Sequence, residues 1–315
     1  MKCSVCGGPL AAATIDCVED THSQERFEIR RCSTCGLGHT SPRPDDVASY
    51  YEPTYHGGRH GITDAWCVRR RLRFVAAVVR PRPGDRLLDV GCGEGSFLLA
   101  ARDAGWQVAG VELSPRLARE RGLDVRASLA DAGDLRPLRC ATLWHSLEHL
   151  TEPVEALARV AGLVEPDGFV FVAVPDAEGW QAGAFGARWA HLDMPRHLHH
   201  FGKPSLERAL RAAGLEPETW WHQELEYDLF GIVQSASNAL LPVSNVFTNR
   251  ITGRPTGVGR AAEIGALALG VGLTALALPL VPLASAAGRG GTLVVAARRA
   301  GRIDERGSLP LGPNP

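Results

Sequence analysis

Leu87-Leu88-Asp89-Val90-Gly91-Cys92-Gly93-Glu94-Gly95-Ser96-Phe97-Leu98 is the stretch that decides the fold. An apolar run closed by an acid enters three alternate glycines and leaves into a helical pattern. That is the strand, tight turn and helix N-terminus of a nucleotide-binding α/β unit. Alternate glycines permit positive φ and remove the Cβ atoms that would hold a ligand off the backbone, while the first-turn N–H groups of the helix are left to face it. Glu112 follows seventeen residues after Gly95, at the end of Val108-Ala109-Gly110-Val111. The interval holds a helix over 96–104, a stop at Gly105 and a second strand. A glycine-rich turn in an unrelated α/β enzyme would explain the glycines alone; glycines, acid and flanks together are more specific.

The glycine spacing departs from the G-x-G-x-x-G of dinucleotide sites. The string LLDVGCGEGSF resembles motif I of the class I S-adenosylmethionine (SAM) methyltransferases, and Val108-Ala109-Gly110-Val111-Glu112-Leu113-Ser114 resembles their second-strand motif, whose acid holds the ribose hydroxyls. The resemblance implies an α/β fold, a doubly wound, Rossmann-like seven-stranded sheet with an antiparallel last strand, and SAM as cofactor. It implies cofactor contacts from Asp89, Gly91, Cys92, Gly93, Gly95, Glu112 and Leu113, from Ser128 and Leu129 after the third strand, and from Trp144 and His145 at the end of the fourth. The family usually starts that fourth strand with an acid, where Cys140 stands here.

Two histidine-rich segments follow. Trp144-His145-Ser146-Leu147-Glu148-His149-Leu150 resembles the family's "lEHl" motif, and Pro195-Arg196-His197-Leu198-His199-His200-Phe201 resembles the "P-R-H-l-x-H-F" signature of a zinc-ribbon-headed methyltransferase group, placed over the acceptor side of the pocket. A histidine titrates near neutrality and can take an acceptor's proton, with Glu148 orienting it or helping to hold a metal. The candidates are His149, His197, His200 and Glu148, with at most one histidine as the base. Spacing by three puts His197 and His200 on one face if the segment is helical, and Arg196 can bind an anionic group. Helix capping and hydrogen bonding beneath the cofactor is a reading of equal weight.

The 315 residues are 45% hydrophobic with a formal net charge of −1. That supplies a sizeable core and offers no general field for a polyanion, which argues against nucleic acid as partner. Met1-Lys2-Cys3 begins on a cysteine motif with no apolar leader, which predicts a cytoplasmic location. In a reducing compartment Cys3-x-x-Cys6 and Cys32-x-x-Cys35, each followed by glycine, predict a structural zinc site with four thiolates and no open position. A redox CxxC would need only one pair.

The expected organisation is a zinc ribbon at 1–40, a strap and helix at 41–84, a SAM-binding core at 85–227, a hydrophobic helical insertion at 228–288, the last strand at 289–300 and a disordered tail at 301–315. Tyr50, Tyr51 and Tyr55 of the strap either touch the ligands or anchor the chain, and the arginines at 69–71 and 73 read as a solvated helix face. Sheet strands are expected at 107–113, 123–127, 140–143, 169–174, 216–225 and 291–297. Residues 229–249 and 264–287 carry no charge. Both flanking strands must enter one sheet, which excludes an odd number of membrane crossings. Pro279 and Pro282 also stop the second run after about 22 Å of helix, against a bilayer core of about 30 Å. An interfacial hairpin touching the inner leaflet of the membrane fits, with Arg250, Arg254, Arg260 and Arg289 at headgroup level. A cap over the acceptor pocket or a homodimer contact would use the same surface. These features together predict a methyltransferase acting on a small-molecule, sugar or lipid-like acceptor. An RNA methyltransferase with a zinc module, or a non-catalytic membrane-associated SAM-binding protein, are the alternatives.

Overall fold

The computed structural model describes residues 2–19, 25–50, 64–251, 253 and 255–300. Tyr51, Tyr55 and the tail at 301–315 lie outside the described residues. Strands β1 (Leu10–Glu19), β2 (Arg26–Cys32) and β3 (Gly38–Ser41) precede helix α1 (Asp64–Val78). Then come β4 (Arg86–Val90), α2 (Ser96–Asp103), β5 (Gln107–Val111), α3 (Arg116–Glu120), β6 (Val125–Arg126), β7 (Leu138–Trp144), α4 (Pro153–Leu163) and β8 (Val164–Pro175). The chain continues through α5 (Trp180–Phe185), β9 (His199–His200), α6 (Lys203–Ala212), β10 (Leu215–Trp221), α7 (Leu225–Leu240), α8 (Val246–Ile251), α9 (Arg260–Ala277), α10 (Leu280–Ala286) and β11 (Thr292–Arg299).

Seven strands form one sheet in the order β10-β11-β8-β7-β4-β5-β6. Pairing is parallel from β8 through β7, β4 and β5 to β6, and antiparallel where β11 lies between β8 and β10. β4 is buried on both faces, so it reads as a continuous apolar run rather than an alternating one. Leu88 and Val90 pack on the side covered by α4 and α6, while Leu87 meets Phe97, Leu98 and α1 on the other. The third strand is shorter than expected, and the sixth ends at Trp221 because Glu224 already stands at the start of α7.

The cysteine module has its own sheet, β1-β2-β3-β9, and its fourth strand comes from far along the chain. Gly38 pairs with His200 and His39 with His199, and the Thr40 N–H donates to the Leu198 carbonyl at 3.1 Å. Cys3, Cys32, Cys35 and Leu37 share a core with Phe201 and Leu206. The module is thus built into the edge where the histidine segment lies.

The uncharged insertion divides in two. α7 turns inward, with Asp228, Gly231, Val233, Gln234, Ser235 and Ser237 buried. α9 buries only Ala266, Gly270 and Ala277, small residues that let it lie close on its neighbours. Its other faces look outward, and α9 is the one described helix long and apolar enough to cross a membrane.

Candidate active site

Gly91, Gly93 and Gly95 all take positive φ, 76°, 55° and 85°. A Cβ at Gly91 would come within 2.6 Å of the Ser146 Cβ, whereas one at Gly93 would meet nothing within 4 Å. Gly91 therefore brings the loop after β7 against the glycine turn, and Gly93 is where a ligand can approach the backbone. At the end of β5, Glu112 accepts from the Gly93 N–H at 2.8 Å and the Ser114 N–H at 3.2 Å. Each carboxylate oxygen has a further lone pair suited to a hydroxyl. Leu113 beside it is 69% exposed, an apolar surface at the mouth.

Beneath the loop, Asp89 accepts from Thr142 Oγ1 at 2.6 Å, and burial pushes its carboxyl up to about 7. Cys92 packs against Gly110, with burial raising its thiol. Ser128 donates to Asp131 at 2.8 Å, and Leu129 opens the short turn that follows β6. Trp144, expected at the cofactor, is packed instead among Phe74, Phe97 and Phe171, with the Arg71 guanidinium 5.3 Å above its ring.

The acceptor side centres on Glu148, 1% exposed. Its Oε1 lies 3.6 Å from His145 Nδ1 and 4.0 Å from His197 Nε2. Burial opposes its charge, but His145, His149 and His197 outweigh that and hold it down at about 2. His149 Nδ1 donates to the Arg196 carbonyl at 3.0 Å and His197 Nδ1 to the His191 carbonyl at 2.9 Å. A carbonyl only accepts, so each ring, when neutral, carries its lone pair on Nε2. Glu148, His149 and His197 each bring one ligand-type atom within 4.8 Å of the others.

His200 stands apart. The segment is extended there, so the expected helical face shared with His197 does not form. His200 sits in β9 with Nε2 3.0 Å from Thr40 Oγ1, and burial drives its ring well below the ordinary histidine range. Arg196, expected to be offered to an anion, is tied to Asp193 at 2.7 Å. Tyr50 packs edge-on against Phe27, the anchoring role.

Four contributors were not visible as such in the sequence. Glu224, fully buried, bonds to His145 Nε2 and takes Arg70 at 3.0 Å and Arg71 at 3.2 Å. Two of the arginines expected on a solvated face of α1 therefore point inward. Tyr227 stacks on His145 at 3.8 Å and on His191 at 4.6 Å. Acids on both sides of Leu225, opening a long uncharged stretch, are the one sequence signal that marks this corner.

The four cysteines of the ribbon come together as expected. Cys3 and Cys35 sulfurs are 3.6 Å apart, Cys6 and Cys32 3.4 Å, and all four lie within 4.8 Å of one another. A tetrahedron with metal–sulfur bonds of about 2.3 Å has edges of about 3.8 Å, so the cluster has the dimensions of a thiolate metal site. Gly7 and Gly36, at φ 69° and 77°, make the two matching turns. Burial opposes the Cys32 thiolate, but backbone N–H groups of Cys35 and Thr34 outweigh it and bring the thiol down to about 6.

This geometry has known relatives. The methyltransferase domain family matches residues 59–219, which leaves out both the cysteine module and α7–α10. The chain is 32% identical over 166 residues to a ubiquinone biosynthesis O-methyltransferase of Thiobacillus denitrificans, covering 47% of this chain and 71% of that one. A protein of the same name from Bordetella avium is 32% identical over 168 residues, 47% of this chain and 68% of that one. Among solved structures, phosphoethanolamine N-methyltransferase 2 of Haemonchus contortus in complex with S-adenosyl-L-methionine superposes with a TM-score of 0.53 over 81% of this chain and 60% of that one, at 14% identity, which speaks for the fold alone. A seven-stranded sheet with a reversed last strand, a glycine turn facing a buried acid and a family match over half the sequence lead to one conclusion: the chain belongs to the methyltransferase domain family and is a SAM-dependent methyltransferase.

Proposed function

We propose that the protein methylates a hydroxyl on a small, largely apolar acceptor, with His149 or His197 as the base. Bound SAM supplies an electrophilic methyl group. The chain's own residues do the rest. Glu112 accepts the ribose hydroxyls, Leu113 offers apolar surface to the adenine, with Ser128 and Leu129 beyond it, and the open backbone at Gly93 lets the ligand sit close. The Nε2 lone pair of His149 or His197 takes the acceptor's proton, and the Glu148 carboxylate beside it favours the imidazolium that results. The observation that carries this reading is Glu148, buried and charged, with two histidines around it whose Nδ1 atoms are pinned by carbonyls. That the relatives are ubiquinone biosynthesis O-methyltransferases supports oxygen as the methylated atom and a quinol-like ring as acceptor. Mass spectrometry of SAM reactions against phenolic acceptors with and without isoprenoid tails tests it. Methylation of a transcript, or of amines and no hydroxyl, would overturn it.

Cys3, Cys6, Cys32 and Cys35 are proposed to hold one structural Zn²⁺, so metal analysis of purified protein should return one equivalent. A second surface has its own observation. Of the exposed large apolar residues among those described, nine of twelve fall between Leu240 and Leu283, with Val271 and Leu276 at 71% and 70% exposure. No charge occurs from Ile264 to Gly288, so the outward faces of α9 and α10 lack the polar flanks of an ordinary water-facing helix. We read this hairpin as resting in the acyl boundary of an anionic membrane, with Arg250 and Arg260 at headgroup level, where a lipid-like acceptor is met. Wild-type protein should float with anionic liposomes, less so at high salt, and Val271→Glu with Leu276→Glu should abolish flotation. A wild type that stays in the soluble fraction hands the surface to a dimer contact.

A further inference from the structure

The first helix of the insertion reaches the active site, and one residue there lies outside the span that the methyltransferase domain family matches. Glu224 lies just beyond the family-matched span and is 0% exposed. Three partners from two distant elements converge on it: His145 from the end of β7, through Nε2, and Arg70 and Arg71 from α1, at 3.0 and 3.2 Å. Four residues on, α7 is pressed against the acceptor segment. A Cβ at Gly231 would collide with His191 and Gln181, the Ser235 hydroxyl accepts from the Ala190 N–H at 2.9 Å, and Gln181 donates to the Asp228 carbonyl at 2.9 Å. Tyr227 is sandwiched between the rings of His145 and His191, tilted only 14° and 11° from each. His145 itself is held at φ 51°, a left-handed conformation that a histidine adopts only where its surroundings fix it.

We propose that Glu224 is the positioning residue of the acceptor half: by engaging His145 Nε2 it turns the Nδ1 edge of that ring toward Glu148, and so holds Glu148 where it serves the base. The inference rests on His149 or His197 being that base. The geometry supplies the reason. Nδ1 of His145 faces Glu148 Oε1 at 3.6 Å, an ionic contact longer than a hydrogen bond, while Nε2 bonds to Glu224, so the ring stands between two buried carboxylates. His145 is thereby a fixed cationic partner rather than a second base: burial works against its charge, but Glu224 and Glu148 raise its pKa above the ordinary value. Without Glu224, Glu148 is left as the sole carboxylate for His145, and a tighter pair between those two draws Glu148 away from His149 and His197. A carboxylate serving only to neutralise Arg70 and Arg71 would have no such effect.

Glu224→Gln tests this, with Glu224→Asp as the conservative variant. In the wild type, an exchange-protected, downfield Nε2 proton of His145 should be seen by NMR with no ligand present. Glu224→Gln should lose that resonance and lower kcat by about tenfold or more, with acceptor KM and calorimetric SAM affinity unchanged, and Glu224→Asp should restore part of both. Loss of the resonance with full kcat overturns the proposal. Should the glutamine variant fail to fold because two arginines are left buried and unpaired, Tyr227→Leu leaves no charge unpaired. It should lower kcat and broaden the His145 signals, and full kcat there, or the absence of the protected proton from wild type, counts against the proposal. Running His149→Gln and His197→Gln beside these separates two failures. If neither lowers kcat while the His145 signature is as described, the base assignment is wrong; if either does and Glu224→Gln does not, the positioning role is wrong.

Discussion

The two halves of the sheet's carboxyl edge are made in different ways. The cofactor half comes from one β-α-β unit: Gly91, Gly93 and Gly95 follow β4, Glu112 and Leu113 follow β5, and Glu112 bonds back to the Gly93 N–H at 2.8 Å. The acceptor half is assembled from α1, the loop after β7, the segment around His197, the ribbon strand β3 and the inserted helix α7. One half is local in sequence and carries no buried histidine; the other is a confluence of remote segments and holds most of them. Stability, chemistry and pH response should divide along that line.

The largest effect should come from the acceptor half. His149→Gln, or His197→Gln if that ring is the base, should lower kcat by about 10²- to 10⁴-fold, the usual contribution of a positioned general base, with SAM affinity unchanged in calorimetry. His200→Gln should instead act on stability, because Thr40 holds its ring in the ribbon sheet. A kcat loss at 200 equal to that at 149 and 197 would erase the distinction between chemical and structural histidines.

Glu112→Ala breaks the cofactor half alone. Charge-assisted hydrogen bonds to the ribose contribute about 1.5–3 kcal/mol each, so SAM affinity should fall by about tenfold or more. The loop also loses an acceptor for the Gly93 and Ser114 N–H groups, so a modest fall in thermal midpoint should accompany it. Acceptor KM measured at saturating SAM should not move. If SAM affinity is unchanged, Glu112 serves only the loop.

The same division explains what the sequence could disclose. The glycine turn, the acid after β5 and the paired cysteines are short-range patterns in which spacing alone fixes the geometry, and the structure places them as expected. The reversed last strand followed from the family resemblance and is present between β8 and β10. Glu224 was not, because it was counted into a strand that in fact ends at Trp221, and nothing local says that Arg70 and Arg71 will reach it. Trp144 was assigned by position in a motif, whereas its packing depends on Phe74, Phe97 and Phe171 from three other elements. The two uncharged segments of the insertion look alike in composition, and nothing local says which of them turns inward. The face that α7 turns inward is set by Gly231 and Ser235 meeting residues some forty positions earlier.

Acidification should separate the halves by the smallest step per group. His191 and His199 are held down at about 3 and His39 at about 4 by burial, with neighbouring cations adding to it, and His200 lies well below its ordinary value. A group whose folded pKa is depressed binds its proton first in the unfolded chain. The stability each neutral ring contributes is therefore complete above about 6.5 and drains as pH falls towards 3 to 4, by at most roughly 1.4 kcal/mol per pH unit per ring. All four rings belong to β3, β9 or the segment before it. In the cofactor half the sign is reversed: Asp89, raised to about 7 by burial, costs stability when charged and regains it as pH falls through 7. Hydrogen exchange at pH 7.5 and pH 5 should thus show protection lost first across β2, β3 and 189–201, while β4 and β5 keep theirs and SAM binding outlasts turnover. Uniform loss of protection over both sheets would mean that the ribbon, the histidine segment and the glycine turn unfold as one unit, and the comparison would then describe chemistry but not stability.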